Sequence, residues 1–227
     1  MNDQIIPDIQ LDNNTEQRLP CVLVLDGSAS MKGPPLDELN KGLKVLQEEL
    51  QKDEIASSRV QLLIIRMGDE DETEVLVDWT DAINFNAPKI RANGTTPIGK
   101  AMTLALDKIA EQKIQYKARG YTYNRPWLWL FTDGVPTDKW EDAAAGCKKA
   151  EANGEAIIFT IGTEGADFET LKKFSTKFQP LKLNQLKFNE LFLWLSKSAS
   201  KGSVAAPEDD DNVGQQFEAT GGWGQTV

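Results

Sequence analysis

Histidine is absent from all 227 residues. That excludes Ser-His-Asp and Cys-His nucleophile systems and every histidine-ligated zinc site. Cysteine occurs only as Cys21 and Cys147, too few for a disulfide framework or a four-thiolate zinc site. Both are read as buried thiols of a cytoplasmic chain. Basic charge is also scarce, with 25 Lys and Arg against 35 Asp and Glu, a formal charge of −10. No basic stretch is present to neutralise phosphates, so nucleic acid is not expected among the partners. Long apolar runs are missing too, and none approaches the ~20 residues that a membrane helix needs. The opening Met1-Asn2-Asp3-Gln4-Ile5-Ile6-Pro7 lacks the positive and apolar regions of a secretory signal. A soluble cytoplasmic protein with no membrane partner is the expectation.

What is present centres on Leu23-Val24-Leu25-Asp26-Gly27-Ser28-Ala29-Ser30-Met31. An apolar strand ends in a carboxylate followed by hydroxyls at every second position. Short oxygen-bearing side chains spaced in this way can turn toward one point, and a hard divalent cation takes such ligands. A second apolar strand, Trp127-Leu128-Trp129-Leu130-Phe131, ends in Thr132-Asp133-Gly134. Between the two lies Gly94-Thr95-Thr96-Pro97-Ile98-Gly99, a turn leading into a helix and offering another hydroxyl.

The remaining periodicities alternate strand with helix. Strands are expected at 20–25, 59–68, 73–79, 126–131, 156–161 and 180–183. Helices are expected at 36–52, 96–115, 139–153, 167–175 and 188–200. Leu36, Leu39, Leu43, Leu46 and Leu50 recur at steps of three and four, one apolar stripe. Residues 73–79 alternate as an edge strand does, with Val75, Val77 and Trp79 on one face. Residues 116–125 read as a polar, aromatic loop at the end of the sheet away from Asp26. Asp69, Glu70, Asp71 and Glu72 read as a solvated hairpin tip, because their spacing lacks a cation-loop frame. The pattern predicts an α/β fold, doubly wound, with a mostly parallel sheet, helices on both faces and one antiparallel edge strand. Such sheets bind ligands beyond the carboxyl ends of their strands, where Asp26 and Asp133 fall.

Asp-x-Ser-x-Ser, then Thr, then Asp resembles the metal-ion-dependent adhesion site (MIDAS) of von Willebrand factor A (vWA) domains. Met31, the Gly-x-Thr-Pro-x-Gly turn and Phe-Thr-Asp-Gly-x-Pro-Thr-Asp look most like the bacterial TerY/YegL-type branch. The resemblance covers about residues 18 to 200. It implies a Rossmann-like vWA domain over 19–200, with a polar arm at 1–18 and an acidic, glycine-rich disordered tail at 201–227. Ile5, Ile6 and Ile9 of the arm could dock as an edge segment. Trp223 in the tail reads as a stray aromatic or as a short docking motif.

The resemblance further implies that Asp26, Ser28, Ser30, Thr96 and Asp133 hold Mg²⁺, with Mn²⁺ as a substitute. Ser28, Ser30 and Thr96 would touch the ion directly, and Asp26 and Asp133 partly through water. Thr96 is preferred to Thr95 because it directly precedes Pro97, as in the family pattern. Ala29 and Gly27 depart from the usual residue types without removing an oxygen. The implied function is non-catalytic: a module whose ion accepts a carboxylate from a protein partner. TerY-type relatives act in bacterial stress systems, including tellurite resistance, alongside a protein kinase and a PP2C-like phosphatase. Met31, Lys32, Pro34, Val135, Pro136 and Trp140 are the contact residues expected to be exposed around the ion.

Taken singly, the same residues also suit other uses. Either aspartate could cap the segment after its strand, and the hydroxyls could bond their own turns. An Mg²⁺-dependent phosphohydrolase with Asp26 as nucleophile is one alternative, but position 28 holds serine where a second carboxylate would be needed. No Gly-x-x-x-x-Gly-Lys-Ser/Thr loop is present either. A vWA domain acting without metal is the third reading.

Overall fold

β1 (Leu19–Asp26) is buried at every position. Leu19, Cys21, Leu23 and Leu25 join one apolar cluster, and Val22 and Val24 join another. That split is the period of two of a strand covered on both faces. A computed structural model of the chain describes residues 14–68, 72–204 and 222–227.

The other strands are β2 (Val60–Gly68), β3 (Glu72–Asp81), β4 (Trp127–Thr132), β5 (Ile157–Gly162), β6 (Leu181–Leu183) and β7 (Gly224–Thr226). All seven form one sheet in the order β3-β2-β1-β4-β5-β6-β7. β2, β1, β4, β5 and β6 run parallel, and β3 is the antiparallel edge strand that the sequence predicts. The order reverses between β1 and β4, which lie side by side. Their carboxyl ends therefore flank the crevice where doubly wound folds bind ligands.

Helices α1 (Pro34–Lys52) and α6 (Phe188–Val204) cover one face. Leu39, Leu43, Leu46 and Leu50 meet Phe188, Leu191, Phe192 and Leu195 there. Helices α3 (Ile98–Arg119) and α4 (Glu141–Ala152) cover the other, with Ile98, Met102, Ala105, Ala144 and Cys147 inward. Burial pushes both thiols up, to about 12 for Cys21 and about 12 for Cys147. Among the described residues no helix is long and apolar enough to cross a membrane.

Several elements differ from expectation for identifiable reasons. α1 begins at Pro34 rather than Leu36, since proline suits the first helical position, where no N–H bond is needed. A short helix, α2 (Glu54–Arg59), follows at once. The Asp53 carboxylate caps it by accepting the Ile55 and Ala56 N–H groups at 3.0 and 2.9 Å. α3 runs on to Arg119, so Tyr116 lies not in a polar loop but in the core, donating to Gln61. Gly120, with φ +71°, ends that helix. Another short helix, α5 (Phe168–Leu171), stands where the sequence predicts a longer one.

The tail differs most. α6 continues to Val204, and β7 pairs antiparallel with β6, giving the sheet a second antiparallel edge. Trp223 is buried against Trp194, with ring centroids 5.1 Å apart. It is a core residue, not a stray aromatic. Residues 205–221, which hold the acidic run, lie outside the described residues. So do Ile5, Ile6 and Ile9, and Asp69, Glu70 and Asp71 of the expected hairpin tip.

Candidate metal centre

Asp26 closes β1 with a buried carboxylate whose two oxygens are both engaged. One accepts the Ser28 N–H at 2.8 Å, and the other accepts the Thr132 hydroxyl at 2.6 Å. Burial raises this carboxyl above its ordinary range; the bonds from Thr132 and Ser28 oppose the shift, and the charge of Asp133 adds to it. A carboxylate held in this state gains from a nearby cation.

The chain then turns through a single 3₁₀ turn, Ala29–Met31. That turn sets Ser28 and Ser30 side by side, with their hydroxyl oxygens 2.9 Å apart. Ser30 in turn donates to Asp133 at 2.8 Å. With that proton committed, Ser28 is the donor to Ser30. Asp26, Ser28, Ser30 and Asp133 thus form one connected group across the ends of β1 and β4.

Thr96 joins from the loop before α3. Its N–H donates to the Thr137 hydroxyl at 3.1 Å, and the Thr137 N–H returns a bond to the Thr96 carbonyl at 3.0 Å. This two-point clasp holds the buried threonine beside the Asp133 loop. A Cβ built on Gly134 would lie 3.3 Å from the Thr96 hydroxyl oxygen. Asp138 completes the joint, its carboxylate accepting the N–H groups of Gly99 and Lys100 at the start of α3 at 2.9 and 2.8 Å. The approach is so close that a side chain at Gly99 would strike the Lys139 carbonyl.

Four positioning residues were not singled out in the sequence: Thr132, Thr137, Asp138 and Arg66. The first three sit inside the Phe-Thr-Asp-Gly-x-Pro-Thr-Asp motif, in which the family resemblance points only to the first aspartate. Arg66 carried a signal of its own, as a charge inside the apolar run of β2. Its guanidinium donates to the Arg91 carbonyl at 2.9 Å and to the Gly27 carbonyl at 3.4 Å. It also explains the unusual glycine in the first motif, since a Cβ at Gly27 would lie 2.5 Å from Arg66 Nε. Backbone bonds from Asn93 to Gly27 (2.8 Å) and from Ala29 to Gly94 (3.0 Å) fasten the same two loops.

The surrounding surface departs from expectation at Met31, which is 2% exposed and packs into the core below the loop. Trp140 is half-buried against Phe174. Pro136 is half-buried as well, whereas Lys32, Pro34 and Val135 are exposed. Among the described residues no group of three or more acidic or thiol side chains is placed to hold a metal ion. A metal at this rim would need the hydroxyls as well.

The family model for the von Willebrand factor type A domain matches residues 21–188. The chain belongs to this family. No curated protein matches it. Among solved structures, this vWA chain is similar to proximal thread matrix protein 1 of the mussel byssus, at 15% identity and a TM-score of 0.56, over 82% of this chain and 49% of that one. The pilus adhesin SpaC of Lactobacillus rhamnosus GG gives 14% identity and a TM-score of 0.66, over 83% and 32%. An ArnB paralog from Sulfolobus acidocaldarius gives 19% identity and a TM-score of 0.55, over 81% and 46%. This chain spans less than half the length of each. One structure of the mussel protein has its MIDAS motif occupied by zinc. At these identities the similarity is one of fold.

Proposed function

We propose that Asp26, Ser28, Ser30, Thr96 and Asp133 hold a divalent cation, and that this vWA domain is a non-catalytic, metal-dependent protein-binding module. The observation that carries the reading is the chain of contacts from Ser28 through Ser30 to Asp133, at 2.9 and 2.8 Å. It brings oxygen donors from two distant loops to one rim, beside a buried carboxylate. A donor set made wholly of oxygens suits Mg²⁺ best and admits Mn²⁺. When bound, the ion supplies an electrophilic centre that a partner's carboxylate can complete. The protein's own part is to hold the donors: Thr132 fixes Asp26, Thr137 fixes Thr96, and Arg66 fixes the Gly27 backbone.

A binding role rather than catalysis is supported by Asp26 itself. Both its oxygens are engaged and it is fully buried, which ill suits a nucleophile. The motifs resemble those of TerY/YegL-type proteins, which supports a role in bacterial stress response of the tellurite-resistance kind. A protein kinase and a PP2C-like phosphatase are then the candidate partners, in the cytoplasm. Exposed Lys32, Pro34 and Val135 would border the contact.

The test is a titration of Mg²⁺ against melting temperature, paired with partner capture with and without chelator. Saturable stabilisation and chelator-sensitive capture support the reading. A melting temperature indifferent to millimolar Mg²⁺ and Mn²⁺ refutes it.

A further inference from the structure

α6 starts beside the carboxyl end of β6 and runs about 25 Å away from it, at 1.5 Å per residue. Its far end lies where Arg59 donates to the Ser203 carbonyl at 3.1 Å. Seventeen residues, 205–221, then separate Val204 from Gly222. The chain reappears back at the rim, because Gly224 pairs with Leu183, Gln225 with Lys182 and Thr226 with Leu181.

The returning segment docks on β6, on the loop that follows it and on α6. Asn184 N–H donates to the Trp223 carbonyl at 2.8 Å, and Val227 N–H donates to the Pro180 carbonyl at 3.1 Å. The Asn184 amide and Lys187 ammonium both donate to the Gly222 carbonyl, at 3.2 and 3.4 Å. The Trp223 indole lies against Trp194 of α6. Strand addition to a sheet edge, with a pocket for an anchoring side chain, is a recurrent mode of peptide recognition.

The fit also selects sequence. Gly222 adopts φ +85°, where only glycine sits without strain. A Cβ on Gly224 would lie 3.3 Å from the Lys182 carbonyl, tighter than ordinary contact. The socket therefore reads Gly-Trp-Gly, with a turn at Gly222 that leads into the extended strand from Gly224. The Trp223 indole N–H is buried with no partner among the described residues. Leaving it unpaired costs about 1–3 kcal/mol, which weakens the seat and makes the segment easier to release.

We propose that the β6 edge and its Trp194 socket form a peptide-binding site, and that the site takes segment 222–227 from a second copy of this chain by exchange. Seventeen residues fully extended reach about 56 Å, roughly twice the span from the end of α6 back to the rim. The surplus lets the segment reach a neighbour's socket with no change in either body, the usual low-cost route to an exchanged dimer. Tethering favours the chain's own socket through an effective concentration of roughly millimolar, so exchange grows as the protein approaches that concentration.

The register supplies the test. Lys182 and Gln225 are directly opposed, at a Cα separation of about 4.5–5.5 Å, which a disulfide can bridge. Full-length Lys182→Cys and Gln225→Cys chains are mixed at about 1 mM and treated with diamide, and the cross-linked peptides are identified by mass. A covalent dimer joined between 182 and 225 is the expected product. A chain carrying both substitutions, oxidised when dilute, should close on itself as a monomer. An excess of a synthetic peptide of residues 220–227 should lower the dimer yield several-fold. If the double variant closes but the mixture yields no such dimer, docking stays within one chain and the proposal falls. Failure of the double variant to close removes the segment from the β6 edge and also ends it. Dimer formation that the peptide does not diminish places the contact elsewhere and overturns it equally.

Discussion

Ser30 and Asp133 stand 103 residues apart in the chain, and the serine hydroxyl donates to the aspartate carboxylate at 2.8 Å. No local preference brings the two together. The parallel pairing of β1 with β4 does so, because it sets both strand ends at the same height of the sheet. Whatever disturbs either loop should therefore be felt by the other.

Asp26→Asn separates the cost of the site from its use. The wild-type carboxylate is buried and faces Asp133, so its removal relieves an unfavourable charge. In chelator the variant should melt at or above the wild-type temperature. With Mg²⁺ present, the wild type should gain about 2.7 kcal/mol at a hundredfold excess over Kd, and the variant much less. Calorimetry in the two buffers measures both. A variant that retains the full Mg²⁺ gain would remove Asp26 from the ligand set.

Gly99→Ala tests the joint between Thr96 and the Asp133 loop. The added methyl meets the Lys139 carbonyl, so the 133–138 loop must shift. A loss of about 1–3 kcal/mol is expected, in the range of overpacking elsewhere. Mg²⁺ affinity should fall as well, since Asp138 and Thr137 move together. Unchanged stability and affinity would show that the loop adapts freely.

The cap on α2 carries a pH dependence. Partial burial pushes the Asp53 carboxyl up, but bonds from the Ala56 N–H, the Ser200 hydroxyl and the Ile55 N–H outweigh it and hold the group below its ordinary value. A lowered folded pKa means stability that is present above the ordinary aspartate range and lost as pH falls through the folded value. Asp53→Ala should cost about 1–2 kcal/mol at pH 7, the usual worth of such a cap. Urea titrations should show that penalty shrinking as the pH falls below 4. A penalty constant with pH would mean that the charge contributes nothing.

Cys21 and Cys147 should resist thiol reagents in the native protein. Both are buried, with thiols pushed up to about 12, so little thiolate exists at pH 8. Labelling with a chromogenic disulfide should be negligible in buffer and reach two thiols per chain in denaturant. Rapid native labelling would show that the core opens locally.

The amino-acid sequence determined the alternation of strands and helices, the doubly wound class and the placing of Asp26 and Asp133 at strand ends. These properties are written in local periodicity, which each segment carries on its own. The hydroxyls at 28 and 30 were legible as ligand candidates for the same reason, since their spacing is local, whereas Thr96 was legible only through the family resemblance of the turn before Pro97. Burial was decided only when distant segments met. Met31 turned inward because the core beneath its loop had room for it, and Tyr116 stayed helical because Gln61 offered a buried acceptor. Trp223 became part of the core because β6 presented a free edge for β7 beside Trp194. The worth of a side chain in such places depends on a partner that its own neighbours in the chain do not reveal.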